Sequence, residues 1–149
     1  MHEPYINIYQ TARESSGLTQ ERAAERIGLS VESIRMYESG RRIPPDDCVV
    51  RMIDVYDARY LAYQHIKENV KVSESFIPQN IEIRDLPSAI LRLQKEVTDF
   101  LKCREEMIEI TFDGKITEAE RPRWGVIVKE LDDVSAAIMC LKFAKETEN

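Results

Sequence analysis

The sequence predicts an all-α protein with three parts: an N-terminal five-helix domain over 1–70, a connector over 71–86 and a C-terminal antiparallel helical hairpin over 87–149. Three observations carry this. Leu18–Arg42 holds two short helical patterns, each opened by a hydroxyl residue suited to capping and separated by a glycine. Two later stretches repeat apolar residues at the alternating spacing of a helix seam. Between these regions, the run from Lys71 to Pro87 holds two prolines and mixed β-branched residues, and no helical period survives it.

A chain of 149 residues with 43% hydrophobic content can bury one ordinary core or two small ones. No apolar run approaches the ~20 residues of a membrane span. The opening M-H-E-P-Y-I lacks the basic-then-apolar order of a secretory signal. Cys48, Cys103 and Cys140 are widely spaced, with only His2 and His65 beside them, which argues against a zinc site or a disulfide framework. A cytoplasmic protein with reduced thiols is the expectation, with no cofactor and no metal.

In chain order, Ile6 to Ser15 reads as the first helix, with Ile6, Ile8, Tyr9 and Ala12 apolar. Thr19 can cap a helix from Gln20 to Ile27, and Gly28 then allows a turn with positive φ. Ser30 caps the next helix, Val31 to Ser39, which Gly40 closes. Leu18, Ala23, Ala24, Ile27, Leu29, Ile34 and Tyr37 can converge between these two helices. Val31, Glu32, Arg35 and Met36 are left on the outer face of the second. Pro45 and Asp46 suit the start of a fourth helix, Asp47 to Tyr56. A fifth runs from about Ala58 to Val70, and its His65 reads as a partly packed surface histidine with no nearby group to make it a ligand or base. In the connector, Phe76, Ile77 and Ile81 are too apolar for a free linker, and Ile81 to Ile83 reads as partly extended.

From Leu86 the helical period returns: Leu86, Ile90, Leu93, Val97 and Phe100 keep a 4-3-4-3 spacing, continuing less cleanly through Met107 and Ile108. A second long helix carries Trp124, Ile127, Leu131, Val134, Ile138 and Leu141 at 3-4-3-4-3. Asp113-Gly114 is a turn signal between them, and Thr117 with Glu120 makes a capping box. One hairpin has little against which to bury two such stripes. Self-association into a four-helix assembly is therefore expected, in preference to packing back on the first domain.

The run G-L-T-Q, six residues, I-G-L-S, then S-I, three residues, E-S-G-R-R-I-P, resembles the lambda-repressor/Cro-type helix-turn-helix of the xenobiotic-response-element family. Gln20, Ala24, Gly28, Ile34, Glu38, Gly40 and Pro44 all fall in register, over about Tyr5 to Tyr60. The resemblance implies a five-helix domain that binds double-stranded DNA as a dimer. It implies an internal Arg13–Glu38 ion pair tying the first helix to the third. It also places Val31, Glu32 and Met36 at base edges with Arg35 adjacent, and puts Gln20, Ser39, Arg41 and Arg42 on phosphates, with Ser30 opening the reading helix. Glu32 can accept from a cytosine amino group, Val31 can touch a thymine methyl, and Arg35 can reach either a guanine or a phosphate. The C-terminal part is vaguely similar to regions of phage-type regulators.

Charge bears on this reading. Residues 1–69 carry nine Lys/Arg against eleven Asp/Glu, and the remainder twelve against sixteen. DNA binders are usually basic, so modest, salt-sensitive affinity is expected. The competing reading is an antitoxin-like or phage-regulatory adaptor whose hairpin captures a protein partner. Glu109 to Glu120 resembles an EF-hand loop, but it has one strong carboxylate in its first half, where calcium needs several oxygen ligands. No Ser/His/Asp or Cys/His set and no glycine-rich phosphate loop appears, so catalysis is not expected.

Overall fold

Asn7 opens the first helix of the computed structural model, which describes residues 7–146. Tyr5 and Ile6, where the resemblance and the first predicted helix begin, lie outside the described residues, as does His2. Asn7 Oδ1 accepts from the backbone N–H groups of Tyr9 and Gln10, so its side chain satisfies two donors that a helix start leaves open. Its Nδ2 donates to the Tyr37 carbonyl at 2.9 Å, which ties the cap to the third helix.

The chain divides into two compact units between Ser75 and Phe76. The first holds α1 (Ile8–Ser15), α2 (Gln20–Ile27), α3 (Val31–Glu38), α4 (Asp46–Tyr56) and α5 (Tyr60–Asn69), followed by a 3₁₀ turn, Lys71–Ser75. Ile8, Tyr9, Ala23, Ala24, Ile27, Ile34, Tyr37, Val49, Met52, Tyr56 and Leu61 form one buried cluster, with Leu18, Leu29 and Val31 packed at its edge. Each large apolar side chain taken from water contributes about 1.5–3 kcal/mol before entropy is counted. Ala23 and Ala24 are buried completely or nearly so, and such small side chains let α2 lie close to α3 and α4. Asp46 and Asp47 occupy the first turn of α4, where the helix dipole favours negative charge.

The second unit holds α6 (Leu86–Lys102), α7 (Arg104–Thr111) and α8 (Arg121–Phe143). The only pairing outside helices among the described residues is an isolated parallel bridge between Asp85 and Lys145. Asp85 caps α6 through the Ser88 N–H at 2.9 Å. Here the structure corrects the expectation of a continuous first arm. The helix breaks at Cys103, whose φ of −87° and ψ of 2° close a 3₁₀-type bond from its N–H to the Phe100 carbonyl. α7 restarts at Arg104, and α8 packs along α6 and against α7.

The seam inside the hairpin also differs from the apolar stripe. Its buried residues are Ala89, Ile110, Ile127, Ala136, Ala137 and Cys140. Of the stripe residues, Ile127 is buried and Leu93, Phe100, Trp124, Val134 and Leu141 are half-buried. Ile90, Val97, Leu131 and Ile138 are exposed, at 36–44%. Arg92 donates to the buried Cys140 sulfur at 3.1 Å across this seam.

The loop between α7 and α8 uses its carboxylates on itself and its neighbours. Asp113 Oδ1 accepts from the Lys115 N–H at 3.0 Å, and Gly114 holds the turn at a φ of 76°. Glu120 Oε2 accepts both the backbone N–H and the hydroxyl of Thr117, at 2.8 and 2.7 Å. This is the reach-back half of the capping box. Arg123 bridges Glu106 and Glu109, which fastens the start of α8 to α7.

Candidate nucleic-acid interface

Two eight-residue helices meet over a three-residue turn, and each part of the turn has a local cause. Thr19 Oγ1 accepts from the Arg22 N–H to start α2. Gly28 ends α2 in the left-handed conformation, φ 77° and ψ 39°, where a side chain would be strained. Ser30 Oγ accepts from the Ser33 N–H to start α3. Arg51, on α4, donates to the Ile27 carbonyl at 2.9 Å and satisfies an acceptor that the end of α2 leaves open. The turn is thus closed from the side of the fourth helix as well as by its own caps.

The outer face of α3 carries Val31 and Met36 half-buried, with Glu32 and Arg35 exposed. Ile34, Tyr37 and Glu38 point inward and are buried. Beyond α3, Ser39, Arg41 and Arg42 are all exposed. The backbone N–H groups of Arg41 and Arg42 both donate to the Met36 carbonyl, and the Arg42 guanidinium lies 5.7 Å from the centre of the Tyr37 ring. The exit of α3 is therefore ordered, and it presents two adjacent cations to solvent.

Behind this face runs a polar network. Arg13 Nε donates to Glu38 Oε1 at 2.6 Å and Arg13 Nη2 to Glu38 Oε2 at 3.0 Å, with both side chains 10% exposed or less. The hydrogen bond to Glu38 raises the Arg13 pKa above its ordinary value. Arg13 Nη1 also donates to the Leu18 carbonyl, at 2.7 Å. Gln20 joins the pair from α2, its Nε2 donating to Glu38 Oε2 at 2.8 Å. The Gln20 carbonyl oxygen in turn accepts from Arg35 Nε at 3.4 Å. The side chain expected on a phosphate is thus bonded within the domain, between the buried carboxylate and the exposed arginine of α3. Arg35 further lies 3.8 Å from Glu21 and 3.9 Å from Glu32.

His65 departs from its sequence reading. It is 6% exposed and hydrogen-bonded at both ring nitrogens. The Tyr9 hydroxyl lies 2.6 Å from Nδ1, and Asp46 Oδ1 lies 3.1 Å from Nε2. Asn69 Nδ2 donates to the Tyr9 oxygen at 3.2 Å and to the His65 carbonyl at 3.0 Å. Tyr9 and Asp46 come from α1 and the start of α4, far from His65 in sequence, while Asn69 lies one turn further along α5. Nothing adjacent to His65 in the chain reveals them.

The second unit holds one close group of carboxylates among the described residues. Oxygen atoms of Glu96, Glu130 and Asp133 lie within 4.8 Å of one another. Lys95 lies 3.6 Å from Glu96, and Lys129 lies 2.7 Å from Asp133. Ammonium groups thus stand beside two of the three carboxylates.

Asn7, Glu21 and Arg51 are the members of this surface and its support that sequence reasoning missed. Asn7, directly before an apolar helical run, carried a capping signal. Glu21 carried none, because its partner Arg35 lies on another helix, and the i,i+4 spacing of Arg51 from Asp47 gives no hint of its bond to the Ile27 carbonyl.

Residues 10–59 match the family described as "Helix-turn-helix domain". The match covers α2, the turn and α3, and supports a DNA-binding regulator. No curated protein and no solved structure matches the chain. No helix among the described residues is long and apolar enough to cross a membrane.

Proposed function

We propose that the chain is a sequence-specific, repressor-type transcriptional regulator that reads the major groove of duplex DNA with α3 and acts as a homodimer. The observation that carries this reading is the outer face of α3. Val31, Glu32, Arg35 and Met36 project from a helix whose opposite side is fixed by Ile34, Tyr37 and the Arg13–Glu38 pair. A helix held this way enters the groove as a rigid unit, with its N-terminal residues nearest the bases. Val31 and Met36 supply apolar contact to thymine methyl groups, and Glu32 supplies an acceptor for a cytosine amino group. Ser39, Arg41 and Arg42, just past the helix, take phosphates and set the register. Ser30 fixes where the reading helix begins. Dimerisation falls to the hairpin, whose exposed apolar residues are otherwise left in water.

The reading assigns the chain no catalysis; His65, the one described histidine, is buried and hydrogen-bonded to Tyr9 and Asp46. Repeated selection from a randomised duplex pool, followed by titration of the enriched site against salt, tests the proposal. An enriched, two-fold-related site with a negative salt slope is the expected outcome. Failure to enrich any sequence would overturn it. The same exposed hairpin face supports a second reading, an antitoxin-like or phage-regulatory adaptor. That reading gains if the chain retains no duplex at low salt.

A further inference from the structure

Arg35 is the one cation on α3, and three side chains surround it. Its Nε donates to Gln20 Oε1 at 3.4 Å, its Nη2 lies 3.8 Å from Glu21, and its Nη1 lies 3.9 Å from Glu32. Gln20 is itself held from behind by Glu38 at 2.8 Å, and Glu38 by Arg13. The guanidinium therefore has a fixed amide on one edge and a carboxylate within 4 Å of each terminal nitrogen. All three charged groups are more than half exposed, Arg35 at 55%, Glu21 at 66% and Glu32 at 72%. Such pairs contribute little to folding stability, so their consequence lies in the local potential. Two negative charges flank one positive charge, well within the Debye length of ~8 Å at physiological salt.

That arrangement treats two kinds of acceptor differently. An anionic phosphate that approaches Arg35 also approaches two carboxylates and is repelled. A guanine edge offers two neutral acceptors, O6 and N7, to the same guanidinium and, carrying no net charge, is repelled far less by the two carboxylates. We propose that Glu21 and Glu32 are specificity determinants: they bias Arg35 toward a guanine edge and away from phosphate, suppressing binding to unmatched DNA. The inference rests on α3 being the DNA-reading helix. Glu21 is the informative residue, because it flanks Arg35 from α2 and has no part in the base contacts assigned to α3.

The test compares the full-length protein with Glu21→Gln, Arg35→Ala, the double variant and Glu25→Gln. Glu25 lies on the same helix, but its partner is Arg22 at 3.2 Å rather than Arg35. It therefore controls for loss of one negative charge. Fluorescence titration of an unmatched duplex at two salt concentrations is the first readout. Removing one charge close to the approaching phosphate should raise affinity about three- to tenfold in Glu21→Gln. The salt slope should steepen by about one phosphate's worth. The gain should vanish in the double variant and stay below about twofold in Glu25→Gln. A randomised-duplex selection with each variant is the second readout, and the preferred guanine should weaken in both Glu21→Gln and Arg35→Ala. Equal gains in Glu21→Gln and Glu25→Gln, a gain that survives loss of Arg35, or no gain would each overturn the proposal. If the wild type enriches no sequence and retains no duplex, the DNA-reading assignment itself fails, an outcome distinct from those three.

Discussion

Arg13 and Glu38 meet through two hydrogen bonds, at 2.6 and 3.0 Å, with 10% and 5% of their side chains exposed. One partner sits on α1 and the other at the end of α3, so the pair holds α3 against α1. Deleting one side leaves the other charged, desolvated and unpaired, a condition that costs about 3–5 kcal/mol. Arg13→Ala and Glu38→Ala should each lower the stability of the helix-turn-helix unit by that order in a urea titration. The double variant Arg13→Met with Glu38→Leu should recover a large part of it. If both single variants were within about 0.5 kcal/mol of wild type, the typical size of a harmless surface change, the pair would have no structural role.

The Tyr9–His65 contact gives a second, graded prediction. Tyr9→Phe removes the hydroxyl that serves both Nδ1 of the buried imidazole and the Asn69 amide. Leaving buried polar atoms short of partners costs about 1–3 kcal/mol. Asp46→Asn should cost clearly less, because the Asp46 side chain is 96% exposed and water can replace it. Thermal unfolding of the two variants under one buffer condition checks the order. The reverse order would mean that the exposed carboxylate, and not the phenol, sets the environment of His65.

Much of the first unit is legible in the sequence because its helices announce themselves locally. Thr19, Gly28 and Ser30 are read as cap, turn and cap, and the structure places each in that role. Their partners lie three or four residues away, within reach of a pattern. The pieces that escape are those whose partners lie on another element. His65 is held by Tyr9 and Asp46, which are 56 and 19 residues distant. Gln20 bonds to Glu38, 18 residues on, and its helical position alone cannot distinguish that from a free amide. The hairpin shows a different failure. Besides Ile110 and Ile127, its inner seam is built from Ala89, Ala136, Ala137 and Cys140. Small side chains give a weak hydrophobic signal beside Leu, Ile and Val, so the periodic pattern followed the outer stripe. The break at Cys103 carries no proline or glycine and leaves the heptad spacing nearly intact, so nothing in composition marks it.

Alkaline pH offers a third test. Burial, with the Glu38 carboxylate nearby, pushes the Tyr56 phenol up to about 12. The folded state therefore favours the neutral phenol more than the unfolded chain does. With the pKa raised on folding, the contribution of Tyr56 is complete below the ordinary value of about 10. It is lost as pH climbs from there toward 12. Urea midpoints measured at rising pH should fall in that window, and Tyr56→Phe should flatten the fall. An unaltered slope in the variant would assign the alkaline loss to other groups.

The hairpin makes the last prediction, and helix geometry carries it. At 100° per residue, Leu86, Ile90, Leu93, Val97 and Leu101 fall within an arc of about 80° on α6. Trp124, Leu131, Val134, Ile138 and Leu141 fall within about 100° on α8. Both arcs are displaced to the same side of the inner seam, because antiparallel packing reverses the axis and the sense of rotation together. The two helices therefore share one apolar face, on which Leu86, Ile90, Val97, Leu101, Leu131 and Ile138 are 36–56% exposed. The opposite side carries ion pairs instead, with Asp99 between Lys95 at 2.9 Å and Lys102 at 2.8 Å, and Lys129 at 2.7 Å from Asp133. A slab that is apolar on one side and charged on the other is satisfied by a second copy, face to face, in a four-helix arrangement. Light scattering of the full-length chain at micromolar concentration should give the mass of a dimer. Val97→Glu or Ile138→Glu should halve it, since a carboxylate forced into the shared face cannot be paired there. Lys102→Glu, on the charged side, should leave the mass unchanged. Because two copies engaging one duplex gain from effective concentration, the monomeric variants should also lose tenfold or more in affinity for a two-fold site. A wild-type monomer, or a dimer indifferent to both glutamates, would place the partner of this face elsewhere.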